Sequence, residues 1–180
     1  MIPRWISNTI YVSQVKDAGP IWRMLHELIE TIRNQDDSYH FRQSIDLEFL
    51  HSTICYSGGE FQIILHFLSS VGVMEGISSF ISQRYGSFYV KCVEIDSGKD
   101  VVNFLAHENG ILQGEKTVSK GLSKHLVEEI EKSPMKGRCF SFTVPELFNQ
   151  KEQQFIETLQ DLKYNSKSQT TQDPEDDLLF

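Results

Sequence analysis

The sequence predicts a protein of the α/β (α+β) class, and three observations carry that prediction. Strand-like and helix-like segments alternate along most of the chain; a tight-turn sequence, Asp96-Ser97-Gly98-Lys99, sits between two strand-like runs; and residues 19–33 place apolar side chains at helical spacing. With 180 residues, of which 39% are hydrophobic and 23% charged, the chain holds one ordinary domain with enough apolar side chain for a core.

Each element follows from its local pattern. Residues 9–15 (T-I-Y-V-S-Q-V) are rich in β-branched side chains and read as the first strand. Gly19-Pro20 opens a helix in which Ile21, Trp22, Leu25, Leu28, Ile29 and Ile32 share one side, while Arg23, Glu27, Glu30 and Arg33 fall on others. Polar residues 34–38 close it. Residues 47–56 (L-E-F-L-H-S-T-I-C-Y) are strand-like and end at the turn signal Ser57-Gly58-Gly59. From 60 to 85 the pattern reads as helical, with Phe61, Ile64, Leu65 and Leu68 on one side, Ile77, Phe80 and Ile81 further along, and an interruption at Gly72. Strands are expected over 87–95 and 101–108, paired as a hairpin, with a loop over 110–120. Leu122, Leu126, Val127 and Ile130 mark a helix over about 119–132 that stops at Ser133-Pro134. Residues 138–144 read as the last clear strand and 151–162 as a final helix. The expected organisation is one domain over residues 1–162 and a disordered acidic tail over 163–180.

Seventeen Lys+Arg against twenty-five Asp+Glu give a net charge of −8, which argues against binding nucleic acid through a general basic surface. The four acids Asp173, Glu175, Asp176 and Asp177 account for half of that charge, so the body is only mildly acidic and leaves room for a local phosphate site. Cys55, Cys92 and Cys139 are odd in number and far apart, which suggests neither a disulfide framework nor a zinc cluster. A reducing intracellular location, nuclear or cytoplasmic, is therefore expected. His66 interrupts the longest apolar run, residues 63–68, and the N-terminus lacks a signal-peptide pattern, so no membrane association is expected.

The chemistry-bearing residues fall on two of these strands. Residues two apart in a strand point to the same side, so His51 pairs with Thr53 and Ser141 with Thr143. A hydroxyl donates a hydrogen bond to a phosphate oxygen, and a neighbouring imidazole exchanges a proton near neutral pH. Two such pairs facing one another would supply a general base and a general acid for phosphodiester cleavage.

The order and spacing of L-H-S-T-I near position 51 and F-S-F-T-V near position 142 resemble the two-histidine (2H) phosphoesterase superfamily. Within it, the likeness is greatest to the U6 snRNA phosphodiesterase family, over roughly residues 4–148: the opening W-I-S-N-T-I-Y-V, the first motif, the strand 101–108 and the helix leading to 140–144 follow in that family's order. The resemblance implies a two-lobed fold of mainly antiparallel sheets flanked by helices, with catalysis independent of metal and other cofactors. It assigns His51 to acid/base work and Thr53 and Thr143 to holding phosphate, the three residues that match the motifs, while the hydroxyl of Ser141 can bind phosphate beside them. The sequence departs from the family in having Ser141 where the second histidine is expected, and no closing strand follows the last helix. A serine cannot exchange protons near neutral pH, and losing a general acid or base costs ~10²–10⁴ in rate. His107 is the candidate substitute proton shuttle.

Ordinary readings stand beside these. His51 can be a strand histidine bonded to a carbonyl, Ser141 and Thr143 ordinary strand residues, and His26 and His125 surface positions beside acids. Lys136 and Arg138 are either a local phosphate-backbone contact or a solvated strand end. The tail, from Asp173 to Phe180, superficially resembles the acidic tips with which single-stranded-DNA-binding proteins recruit partners; a solubilising tail, or acids covering the cleft in mimicry of RNA, are the alternatives. Three functions follow. The first is a degenerate 2H domain acting as a pseudoenzyme or scaffold in RNA processing. The others are an active RNA 3′-end phosphodiesterase and an acidic adaptor that binds a protein partner.

Overall fold

The computed structural model describes residues 5–34, 44–119, 121 and 138–170. Along β1 (Ile6–Val15), alternate side chains Ile6, Asn8, Ile10 and Val12 are buried while those between them are half-exposed, the period-two signature of a strand with one covered face. Helix α1 (Gly19–Arg33) buries Ile21, Met24, Leu25, Leu28, Ile29 and Ile32; Pro20 fits its first turn, and Arg33 complements the dipole in its last. β2 (Ile45–Ser57), β3 (Glu60–Ser69), α2 (Met74–Arg84) and β4 (Tyr89–Asp96) follow. These four strands lie in the order β4-β1-β3-β2, all neighbours antiparallel, which is the split βαβ topology of ferredoxin-like sheets.

The sheet is extended at both edges. β5 (Val101–Glu108) and β6 (Ile111–Ser119) continue outward from β4, and β7 (Cys139–Thr143) pairs with β2, giving one seven-stranded antiparallel sheet, β6-β5-β4-β1-β3-β2-β7. The chain is therefore α+β, as its sequence predicts, and its two motif strands are adjacent members of a single sheet. Helices α3 (Val144–Asn149) and α4 (Glu152–Thr170) close the described chain.

Two segments depart from the sequence reading for one reason. Residues 60–69 are a strand and not the start of a helix: Phe61, Ile63, Leu65 and Phe67 are buried, and Gln62 and His66 are exposed. Residues 111–119 are a strand and not a loop. Each follows a two-residue turn in which both residues have positive φ, Gly58 (63°) with Gly59 (87°) and Asn109 (52°) with Gly110 (75°). Paired left-handed residues match the twist of a hairpin and return the chain alongside the strand it has just left. The apolar residues of 60–69 satisfy helical and alternating templates alike, so the turn decides. β6 shows no buried alternation because nearly all its side chains are exposed. The third hairpin, β4–β5, is held as the sequence predicts: Asp96 Oδ1 accepts hydrogen bonds from the backbone N–H groups of Gly98 (3.1 Å) and Lys99 (3.2 Å).

The described helices pack on one face. α1 and α2 cover the β1, β3 and β4 side chains, while α4 lies over β2 and β7, with Phe155 packed against Trp22, Phe140 and Phe142. α4 continues to Thr170, so residues 163–170, expected as tail, are helical; residues 171–180 lie outside the described residues, as does nearly all of the helix expected over 119–132. His26 is not the simple surface residue expected: it sits between Trp22 (3.9 Å) and the ring of Phe148 (5.1 Å), with a buried Nε2. Among the described residues no helix is long and apolar enough to cross a membrane.

The strand assignment of 60–69 has a direct test. Ile63→Ala should cost ~2–5 kcal/mol in urea unfolding, and Gln62→Ala, one residue away on the other face, less than about 0.5; equal costs would contradict the alternation. Acid sensitivity is a second expectation. Burial lowers the pKa values of His26 and His107 below 6.5, against the opposing pull of Glu30 and Glu152 on His26 and of Glu75 on His107. The unfolded chain then binds more protons than the folded one as pH falls below 6.5, so stability is complete above that pH and declines beneath it. Thermal melts should show a smaller decline for His107→Asn than for the parent protein. An unchanged decline would remove His107 as a source.

Candidate functional site

The face opposite the helices carries the candidate chemistry. β2 is irregular between Asp46 and His51, where three more of its residues than β3's are accommodated, and regular pairing resumes at His51. Such irregularities re-aim the side chains that follow. From there β2 and β7 run in register, with His51 opposite Thr143, Thr53 opposite Ser141, and Cys55 opposite Cys139. Directly opposed residues share a face. Four of the five sequence-predicted site residues therefore form a two-by-two cell on the open face.

His51 and Ser141 are exposed, and Thr53 and Thr143 half-exposed. Thr53 Oγ1 and Ser141 Oγ are 3.0 Å apart and hydrogen-bonded, so one hydroxyl proton remains to donate outward. Thr143 has a competing task. It is the N-cap residue of α3, and its backbone N–H donates to Glu146 Oε2 at 2.7 Å, which puts a carboxylate at that corner of the cell. Thr53 and Ser141 are better placed than Thr143 to meet an anion.

The structure adds a residue that the sequence reading treated only as a break in an apolar run. His66 on β3 is the register partner of His51 and is likewise exposed, so two imidazoles stand side by side on adjacent strands. On its other side His66 Nδ1 is hydrogen-bonded to Thr9 Oγ1 at 3.0 Å, which orients the ring. The signal that locates it is the Gly58-Gly59 turn: once 60–69 is a return strand, His66 falls opposite His51. His107 is not brought to this site. It is only 4% exposed, on the helix-covered face, where Nδ1 is hydrogen-bonded to Ser78 Oγ at 2.7 Å. Its position one residue out of phase with Ala106, on the open face, separates it from the cell by the sheet itself. Arg138 is exposed next to β7, and Lys136, His125 and residues 173–180 lie outside the described residues.

The cysteines also differ from expectation. Cys55 and Cys139 are joined by a disulfide, one rung from the Thr53–Ser141 pair, with Cα atoms 4.3 Å apart. Their separation of 84 residues hides a pairing that becomes plain only when β7 docks on β2. Cys92 is the free cysteine; burial pushes its thiol up to about 12, so it is inert as a nucleophile at neutral pH.

Beyond the cell the open face deepens into a cavity of about 610 Å³ across β1, β3, β4, β5 and β6, whose lining includes Tyr11, Gln62, Ile64, Lys91, Phe104 and Lys116. Ile64 is the register partner of both Thr53 and Tyr11, so the cavity and the cell share a row of the sheet. Among the described residues no group of three or more His, Cys, Asp or Glu side chains is placed to hold a metal ion. The arrangement offers hydroxyl donors for a phosphate oxygen and two exposed imidazoles for proton exchange.

The chain matches no family model, no curated protein and no solved structure. The site itself is therefore what supports a function.

The disulfide has a stability consequence. Closing a long loop by a cross-link constrains the unfolded chain, a contribution of ~2–4 kcal/mol. Urea unfolding of Cys139→Ser should show a loss of that size, and an unchanged midpoint would mean that β7 docks equally well without the bond.

Proposed function

We propose that this chain is a degenerate two-histidine phosphoesterase-like protein whose open sheet face holds the 3′ phosphate end of single-stranded RNA, a binding module or scaffold in RNA processing with little or no turnover. The observation that carries the reading is the cell itself: His51, Thr53 and Ser141, drawn from segments about ninety residues apart in sequence, lie together and exposed, with the two hydroxyls already hydrogen-bonded. The hydrogen-bonded Thr53–Ser141 pair donates its one remaining hydroxyl proton to a phosphate oxygen, and His51, when protonated, adds a charge-assisted bond. In place of a cleft between two lobes, this reading uses a groove along one sheet. The net charge of −8 opposes indiscriminate binding and leaves recognition of a single RNA end to local contacts. Such a role carries an intracellular location, nuclear or cytoplasmic, and the Cys55–Cys139 bond weighs against it, because reducing compartments disfavour disulfides.

A second reading, an active metal-independent RNA 3′-end phosphodiesterase of the U6-processing type, is favoured by the His51–His66 pair. One imidazole takes a proton from the attacking hydroxyl while the other protonates the leaving oxygen. An acidic protein-binding adaptor would be favoured by His51 and Ser141 lying on separate surfaces; instead both are exposed on one face.

The purified full chain, mixed in EDTA with fluorescently labelled 3′-oligouridylated RNA that ends in a 3′ phosphate, separates these readings. Micromolar binding, weakened about tenfold or more by His51→Ala and without shortened product, is the expected result. Trimming that His51→Ala and His66→Ala each abolish would establish the enzyme instead. Neither binding nor product would leave the adaptor.

A further inference from the structure

We infer that the cavity beyond the cell is a second nucleotide subsite, holding the base and phosphate of a residue upstream of the RNA end; this rests on the reading of the cell as the site of the terminal phosphate. The two are ends of the same rows. One row runs Ser141, Thr53, Ile64, Tyr11, Lys91, Ala106, Gly114, and the next runs Thr143, His51, His66, Thr9, Val93, Phe104, Lys116, each residue opposite the next on a neighbouring strand. A chain laid across the strands from the cell meets the cavity without leaving the open face.

The lining has the chemistry of a nucleotide. Tyr11 and Phe104 are half-exposed rings, and Ile64 and Ala106 add a partly covered apolar floor. Bases stack on such surfaces whatever their identity. Lys91 and Lys116 are both exposed, with Lys91 Nζ 5.4 Å from the centre of the Tyr89 ring, and Glu115 is the opposing charge in the lining. Two lysines to one carboxylate make this a locally cationic surface on an acidic chain, the sign a phosphodiester requires. At 610 Å³ the space admits a base with its sugar.

The span sets the length of the ligand. Neighbouring strands are about 4.8 Å apart, so the three steps from β2 through β3 and β1 to β4 put Lys91 roughly 14 Å from Thr53, and Phe104 on β5 is one step further still. That exceeds what one nucleotide bridges. The substrate class is accordingly a single-stranded oligonucleotide of at least two or three residues, with its 3′ phosphate at the cell and an upstream base in the cavity.

The test compares hexauridylate bearing a 3′ phosphate with uridine 3′-monophosphate, titrated against the full chain and three variants. Hexamer affinity should fall about tenfold in Lys91→Gln/Lys116→Gln and by a similar factor in Phe104→Leu, the scale of losing one stacked or ion-paired nucleotide, while monophosphate affinity stays the same. His51→Ala should weaken both ligands. Hexamer binding that depends on His51 but not on Lys91, Lys116 or Phe104 would overturn the cavity subsite and leave the cell intact. Binding that depends on the cavity variants but not on His51 would keep the cavity and overturn the cell. Absence of binding by both ligands would overturn both.

Discussion

The site depends on one constraint, the register of β2. Side chains alternate across a sheet with period two, so a slip of one residue would turn His51 and Thr53 into the helix-covered core and bring Ser52 and Ile54 to the open face. The apolar set prevents it: Leu50, Ile54 and Tyr56 are buried beneath the helices, and their transfer to water would cost ~1.5–3 kcal/mol for each large side chain. The core that stabilises the fold thereby fixes which residues are offered to a ligand. The Cys55–Cys139 bond pins the same register at the sheet edge, where β7 has a partner on one side only among the described strands.

The two faces divide the histidines by task. His107, out of phase with the open-face residues of β5, is enclosed with Ser78, and burial disfavours its charged form. His51 and His66 are in phase with the open face and exposed on it. An imidazole that is to meet a phosphate must be reachable from solvent, and His51 and His66 are, whereas His107 is not. Ser141, in the position where the resembled family has its second histidine, contributes a hydroxyl and not a proton shuttle. Among the described residues, the imidazole nearest His51 on this face is that of His66, one strand away on the opposite side from β7.

Much of this was legible in the residues. The α+β class, α1, the β4–β5 hairpin and the sharing of a face by His51 with Thr53 and by Ser141 with Thr143 all follow from local periodicity and turn chemistry. What was not legible depends on partners distant in sequence. The apolar residues of 60–69 fit two periodicities, and only the paired left-handed glycines before them choose between the two. Ile111 and Leu112, exposed in β6, give no buried stripe by which to recognise a strand, although Asn109-Gly110 announces a hairpin. Likewise the disulfide, the His51–His66 neighbourhood and the seclusion of His107 are facts of strand order, which no window along the sequence contains.

On the function proposed above, the His51, Thr53 and Ser141 cell receives a phosphate ester. The most direct measurement is the NMR titration of the His51 and His66 imidazoles from pH 5 to 8 with and without saturating uridine 3′-monophosphate. An anion seated on Thr53 and Ser141 stabilises the neighbouring imidazolium, so the account predicts a pKa of His51 that rises on adding the ligand and a smaller rise at His66. Superimposable titration curves for His51, with and without ligand, would contradict it.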